Sequence, residues 1–187
     1  MDMKRRFPLH EARLVADELV GLLQPVCERI QVAGSVRRLK PDVGDIELLC
    51  ISRAGSQDLF GDVPLYLLDG RVQELIQATT LGYRLNKDGH RTFGPLNKLL
   101  YHVRSEIPVD IFITTVEDWG MGLVIRTGPK AFNIRVMERF RQLGMRGHAY
   151  GGVSMWDGLK WIEEPCPTEE AVFRLLQWDY IPPEARV

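Results

Sequence analysis

The 187-residue chain has only three cysteines, Cys27, Cys50 and Cys166, far apart and with no C-x-x-C pair. That count excludes a disulfide framework and a cysteine-based zinc site. Cys50 lies in an apolar run and reads as a small buried hydrophobe. No run of 18 apolar residues is present, so no membrane-spanning helix and no membrane partner are expected. The first residues are charged and lack the apolar stretch of a signal peptide, so the expected compartment is intracellular and cytoplasmic. Neither charge sign dominates: Lys and Arg total 24 against 25 Asp and Glu. The chain as a whole is therefore not a polybasic nucleic-acid coat, and nucleic-acid binding must come from local patches.

What is present is ordinary globular composition, 45% apolar and 26% charged, enough for one compact domain or two small lobes. The charge is polarised. The stretch 126–148 carries Arg126, Lys130, Arg135, Arg139, Arg141 and Arg146 against one acid, Glu138, whereas the stretch 157–184 is mostly acidic. Such runs are most often solvated helix faces.

Ala12, Val15, Ala16, Leu19, Leu22, Leu23 and Val26 repeat at helical spacing. Pro8 suits that helix's first turn and Pro25 its end. The segments 29–33, 45–51 and 109–114 read as strands, the last two too apolar for a wetted face. A loop through Gly55 and Gly61 leads to a second helix over 65–80, and turn signals within 83–104 predict hairpin strands. Glu117 and Asp118 are placed in the first turn of a short helix, and Gly128-Pro129 starts another that runs to about Leu143. Glycines then separate short strands over 145–150, 153–156 and 160–162, and Thr168 caps a last helix. Trp156, Trp161, Phe173 and Trp178 are assigned to the core of this region, which needs large apolar side chains. The best boundary is near Thr115, with an α/β lobe before it.

The stretch 34–47 carries the chemistry. Asp45 and Glu47 stand two apart on a strand, hence on one face, where two carboxylates among apolar residues are costly unless neutralised. A divalent ion does that, and hard oxygen donors favour Mg2+, with Mn2+ able to substitute. Taken alone, the pair fits two solvated acids at a strand end equally well. Context favours the metal. Gly34-Ser35 breaks the chain in a tight turn whose N–H groups can cradle phosphate, Arg37 and Arg38 add positive charge, and Gly44 admits a ligand close to the backbone. Asp110 is a third carboxylate, alone in a second apolar strand.

This pattern resembles the nucleotidyltransferase superfamily, in which a Gly-Ser turn precedes an acidic strand and a third Asp lies on a later strand. The fuller string, Gly34-Ser35 with Arg37-Arg38 and then Gly44-Asp45 with Glu47, looks like family X DNA polymerases, the DNA polymerase beta group. Thr127-Gly128-Pro129-Lys130-Ala131-Phe132-Asn133 is similar to that family's palm–thumb junction, and the ending from Thr168 to Tyr180-Ile181-Pro182-Pro183-Glu184-Ala185-Arg186 resembles its closing segment. The resemblance covers about residues 6–187.

The resemblance implies an α+β fold: a nucleotidyltransferase palm, a mixed sheet with helices, over 1–115, and a small helix-plus-strands thumb over 116–187. No N-terminal lyase domain is expected, as in compact viral members of the family. A virus- or phage-encoded monomer is accordingly expected. The implied activity is DNA-directed addition of nucleotides to a primer 3′-hydroxyl, as in short-gap or repair synthesis. Its partners would be primer-template or gapped DNA and nucleoside triphosphates. Two alternatives are a transferase that tags tRNA, a protein or a small molecule, and a non-catalytic nucleic-acid-binding protein. Carried over by position, Asp45, Glu47 and Asp110 would hold two Mg2+ ions. Gly34, Ser35, Arg38, Gly44 and Arg6 would hold the triphosphate, and Gly128, Lys130 and Asn133 would face the nucleotide. Arg126, Arg135 and Arg139 would contact DNA. The chain departs from the family in having Glu at 47 for the usual Asp, Ile125-Arg126 in place of an aromatic pair, and Pro108 where a basic residue commonly stands.

Overall fold

The structure is a computed structural model, and it describes residues 5–55, 67–150 and 152–187. In chain order its elements are β1 (Phe7–Pro8), α1 (Leu9–Leu23), β2 (Cys27–Val32), α2 (Gly34–Arg37), β3 (Asp42–Val43), β4 (Ile46–Ser52), α3 (Leu67–Gln77), β5 (Leu81–Tyr83) and β6 (Asn97–His102). There follow β7 (Pro108–Ile113), α4 (Trp119–Thr127), α5 (Lys130–Gln142), β8 (Met145–Gly147), β9 (Val153–Trp156), β10 (Trp161–Glu164) and α6 (Glu169–Leu176). The described residues thus form a mixed α/β structure with six α-helices and one mixed sheet. None of these helices is long and apolar enough to cross a membrane. The expected loop through Gly61 and the charged residues 1–4 lie outside the described residues.

The chain divides into two compact units, Met1–Val32 with Pro41–Ile113, and Ala33–Lys40 with Thr114–Val187. The segment 33–40 groups with the second unit rather than with the lobe before Thr115 where the sequence placed it. Hydrogen bonds explain the difference: Arg37 Nη1 donates to Thr127 Oγ1 (2.8 Å) and to Glu169 Oε1 (2.8 Å).

The first unit is built on a five-stranded sheet in the order β2-β4-β7-β6-β5. Only the β4–β7 pair is parallel; the other three pairings are antiparallel. The central strands read as near-continuous apolar runs because both their faces are covered. Ile46, Leu48, Leu49, Cys50 and Ile51 of β4 and Val109, Ile111 and Phe112 of β7 are all buried. Helix α1 supplies Ala12, Val15, Ala16, Leu19 and Leu23, a stripe at 3–4 residue spacing, and packs on β2 and β4. Pro8 stands just outside this helix as its N-cap instead of inside the first turn, since β1 pairs with β3 there.

The second unit has its own core. Met121, Val124 and Ile125 of α4, Phe132, Val136 and Phe140 of α5, Val153, Cys166, and Val172, Phe173 and Leu176 of α6 form one buried cluster. Burial pushes the Cys166 thiol up to about 12, with Glu164 and Asp118 adding to the effect, so it stays an inert apolar filler. Glu117 and Asp118 precede α4 rather than sitting in its first turn, because Asp118 is its N-cap. Thr168 caps α6 as its type predicts, its Oγ1 accepting from Ala171 N at 3.2 Å. Strands β8, β9 and β10 make a three-stranded antiparallel sheet. The assignment of the aromatics to the core holds for Phe173 and fails for Trp156, which is 52% exposed. Its strand continues past the part of the sheet that α5 covers.

Candidate active site

In the first unit the parallel pairing of β4 and β7 sets Glu47 level with Asp110, one residue beyond the Ile46–Val109 pair. Both carboxylates are half-buried, and their neighbours along each strand, Ile46, Leu48, Val109 and Ile111, are buried. Asp45 lies immediately before β4, also half-buried, two residues ahead of Glu47 and so on its side of an extended chain. Gly44 is buried beside it, and Arg6 is exposed ahead of β1. Like charges set level on adjacent strands repel. The structure answers this with Arg84, just past β5: its Nη2 donates to Asp110 Oδ1 in an ion pair, and its Nε donates to Leu100 O at 3.3 Å.

The hard oxygen donors and their common level suit a divalent ion. Among the described residues, however, no group of three or more His, Cys, Asp or Glu side chains is gathered closely enough to hold one. On Asp110 a guanidinium stands where a cation would. Arg84 was invisible to sequence reasoning, since nothing in its local pattern marks it and 26 residues separate it from its partner.

The remaining expected residues fall in the second unit. Gly34 and Ser35 do not form an open turn: they begin the one-turn helix α2, with Gly34 at φ +62°. The Ser35 hydroxyl is buried and, among the described residues, has no hydrogen-bond partner. The arginines of this segment are engaged with protein. Arg38 Nη1 donates to Thr127 O, at the C-terminus of α4 where cations are favoured. Arg37 forms a two-pronged bond to Glu169, whose other oxygen contacts bring in Arg186 and Tyr180. Arg186 is fully buried and Glu169 is 5% exposed. Burial alone would raise the Glu169 pKa, but the hydrogen bonds from Arg37 and Arg186 outweigh it and hold the carboxyl below its usual range. No spacing rule could have found this network.

Gly128 follows α4 and has no room for a side chain: a Cβ would lie 2.5 Å from Asn133 Oδ1 and 2.7 Å from a Phe132 ring carbon. Asn133 Nδ2 donates to Ile125 O at 2.7 Å, while its buried Oδ1 has no partner among the described residues. Lys130 is exposed at the start of α5. Arg126 donates to Ala149 O at 3.1 Å and lies over the Tyr150 ring, 4.6 Å from its centroid. The basic run on α5 is partly structural. Arg139 Nε and Nη2 donate to Leu176 O and Gln177 Oε1, at the end of α6, and Arg135 Nη1 approaches Val187 O at 3.5 Å.

Residues 122–187 match the family model of the DNA polymerase beta thumb. From within α4 to the C-terminus the chain is thus similar to a DNA polymerase beta thumb. The match spans roughly the last third of the 187 residues, and no curated protein matches the chain.

Proposed function

We propose that this chain is a DNA-directed nucleotidyltransferase that adds nucleotides to a primer 3′-hydroxyl, in short-gap or repair-type synthesis. The observation that carries the reading is the level pairing of Glu47 with Asp110 on two parallel strands, in a chain whose last third matches a polymerase thumb. In this reading Asp45, Glu47 and Asp110 hold two Mg2+ ions, for which Mn2+ can substitute. Bound there, the metal would supply Lewis-acid stabilisation of charge on the phosphate and an acidified 3′-hydroxyl. Asp110, which pairs with Arg84 in the structure, would help hold the metal and orient the attacking oxygen. Gly34, Ser35, Arg38, Gly44 and Arg6 are assigned to the triphosphate, and Gly128, Lys130 and Asn133 to the nucleotide. Among the described residues the buried Ser35 hydroxyl and Asn133 Oδ1 have no hydrogen-bond partner, which supports the assignment of those two, since a buried polar atom left unpaired calls for an explanation such as a bound group. Arg126, Arg135 and Arg139 are assigned to DNA, the last two also holding the C-terminal segment.

The test is extension of a labelled primer on template, gapped and single-stranded DNA with Mg2+ or Mn2+ and each dNTP and rNTP. Templated extension that is lost in Asp110→Ala, with the fold retained, is the expected result. Absence of extension on every DNA would overturn the reading and move the search to a different acceptor.

A further inference from the structure

The hairpin of β9 and β10 carries aromatic residues that neither the core nor the proposed site uses. Trp156 and Trp161 are register partners, so they share one face of the sheet, with ring centroids 5.6 Å apart and planes tilted by 58°. Arg146, on β8, belongs to the same face through its pairing with Ser154, and its guanidinium lies 3.8 Å from the Trp161 centroid. The opposite face is occupied where Gly147 and Val153 meet the core: a Cβ on Gly147 would touch Met137, Phe140 and Met121. Beyond that contact the hairpin stands in solvent, with Trp156 half exposed and Leu159 at its turn 83% exposed. Isolated exposed apolar residues need no explanation, but a contiguous exposed cluster marks an interaction surface.

The charges on this face indicate its partner. Its two carboxylates are committed to the hairpin's own donors. Asp157 Oδ1 accepts from Leu159 N and Lys160 N, both at 2.7 Å, and Glu163 Oε1 accepts from the Ser154 hydroxyl at 3.2 Å. Among the described residues Arg146 and Lys160 form no ion pair. Two indoles tilted to one another, with the Arg146 guanidinium stacked on one and neither Arg146 nor Lys160 in an ion pair among the described residues, are complementary to an unpaired base and its phosphates, because every base has a face to stack and each phosphate a charge to neutralise. An apolar peptide would leave both cations uncompensated.

We propose that the Arg146–Trp161–Trp156 face is a stacking platform for unpaired bases of single-stranded DNA next to the duplex on which the protein works. It rests on the DNA-directed reading and adds to it a site for the unpaired strand.

The experiment measures binding of the full chain to three labelled duplexes: one with a short thymidine overhang, one with an abasic overhang of equal length, and one blunt. Wild-type protein should prefer the base-bearing overhang to the abasic one by about 5- to 100-fold, the range for stacking one base on an aromatic side chain. Trp156→Ala should erase that preference and leave blunt-duplex affinity unchanged. Trp156→Phe should keep most of it, which a merely structural role for the indole would not produce. Equal affinity of the wild type for the two overhangs would overturn the platform and leave the DNA-directed reading standing. Affinity for none of the three would overturn both. Self-association of the protein that Trp156→Ala abolishes, with no preference for bases, would assign the face to a second copy instead.

Discussion

Arg37 and Glu169 face each other in a two-pronged ion pair, Nη1 to Oε1 at 2.8 Å and Nη2 to Oε2 at 2.7 Å, across 132 residues of sequence. This pair, closed on the other side by Arg186, holds the short α2 segment to α4 and α6 within the second unit. It gives the sequence break at Gly34-Ser35 a fixed conformation that the local residues would not adopt alone, since a one-turn helix is too short to sustain itself.

Removing the carboxylate charge tests the network. Glu169→Gln leaves two guanidinium groups without their counter-ion, one of them fully buried. Unfolding in denaturant should show a loss of about 3–5 kcal/mol, the usual result of breaking a buried ion pair from one side. Glu170→Gln, on the exposed neighbour, should change stability by no more than about 0.5 kcal/mol.

The same carboxyl makes stability depend on pH. Its folded pKa is lowered: burial opposes the charged form, but the hydrogen bonds from Arg37 and Arg186 prevail. The folded state thus binds the proton less readily than the unfolded one. The contribution is fully present above the ordinary glutamate value, about 4.3, and is lost as pH falls through the lower folded value. Thermal melts across that range should show the wild type losing its advantage over Glu169→Gln. A constant gap between them would mean that the ion pair is not the source of the stability.

Two glycines in helices should respond oppositely to alanine. A Cβ on Gly120 would lie 2.0 Å from the Thr168 carbonyl oxygen and 2.6 Å from that of Cys166, backbone atoms with no freedom to move aside. Gly120→Ala should cost about 3 kcal/mol or more through forced separation of α4 from the start of α6. None of the described residues comes within 4 Å of the corresponding point on Gly70, within α3, so Gly70→Ala should stabilise by up to about 1 kcal/mol. The midpoints of chemical unfolding give both signs in one series.

Arg84 offers a probe of the acidic strands. Arg84→Ala takes a cation from Asp110 while Glu47 stays level with it. Stability without divalent ions should fall by about 2 kcal/mol, the scale of a charge-assisted hydrogen bond. Mg2+ should restore more stability to this variant than to the wild type, and Arg84→Ala with Asp110→Asn should lose the Mg2+ response. A variant indifferent to Mg2+ would remove Asp110 from the proposed metal set.

Helix α1, the buried strands β4 and β7 and the Thr168 cap were legible in the chain because each is a local matter: apolar spacing, an unbroken apolar run, a hydroxyl ahead of a helix. The thumb-like ending was legible for the same reason, as contiguous motifs. Asp45, Glu47 and Asp110 could be singled out by type and by strand period, since carboxylates in apolar runs are conspicuous.

Their company could not be read in this way. Pairing register sets Glu47 beside Asp110, and a strand end far along the chain delivers Arg84 to them. Arg37 looked like a phosphate ligand from its neighbours and is bound to Glu169 instead. Trp156 looked like core from its type and is exposed, because the supporting helix α5 covers only part of its sheet. Residue type and local period decide which elements form and which groups carry charge. The partner of each charge and the cover over each aromatic depend on contacts between segments remote in sequence, and those exist only once the chain has folded.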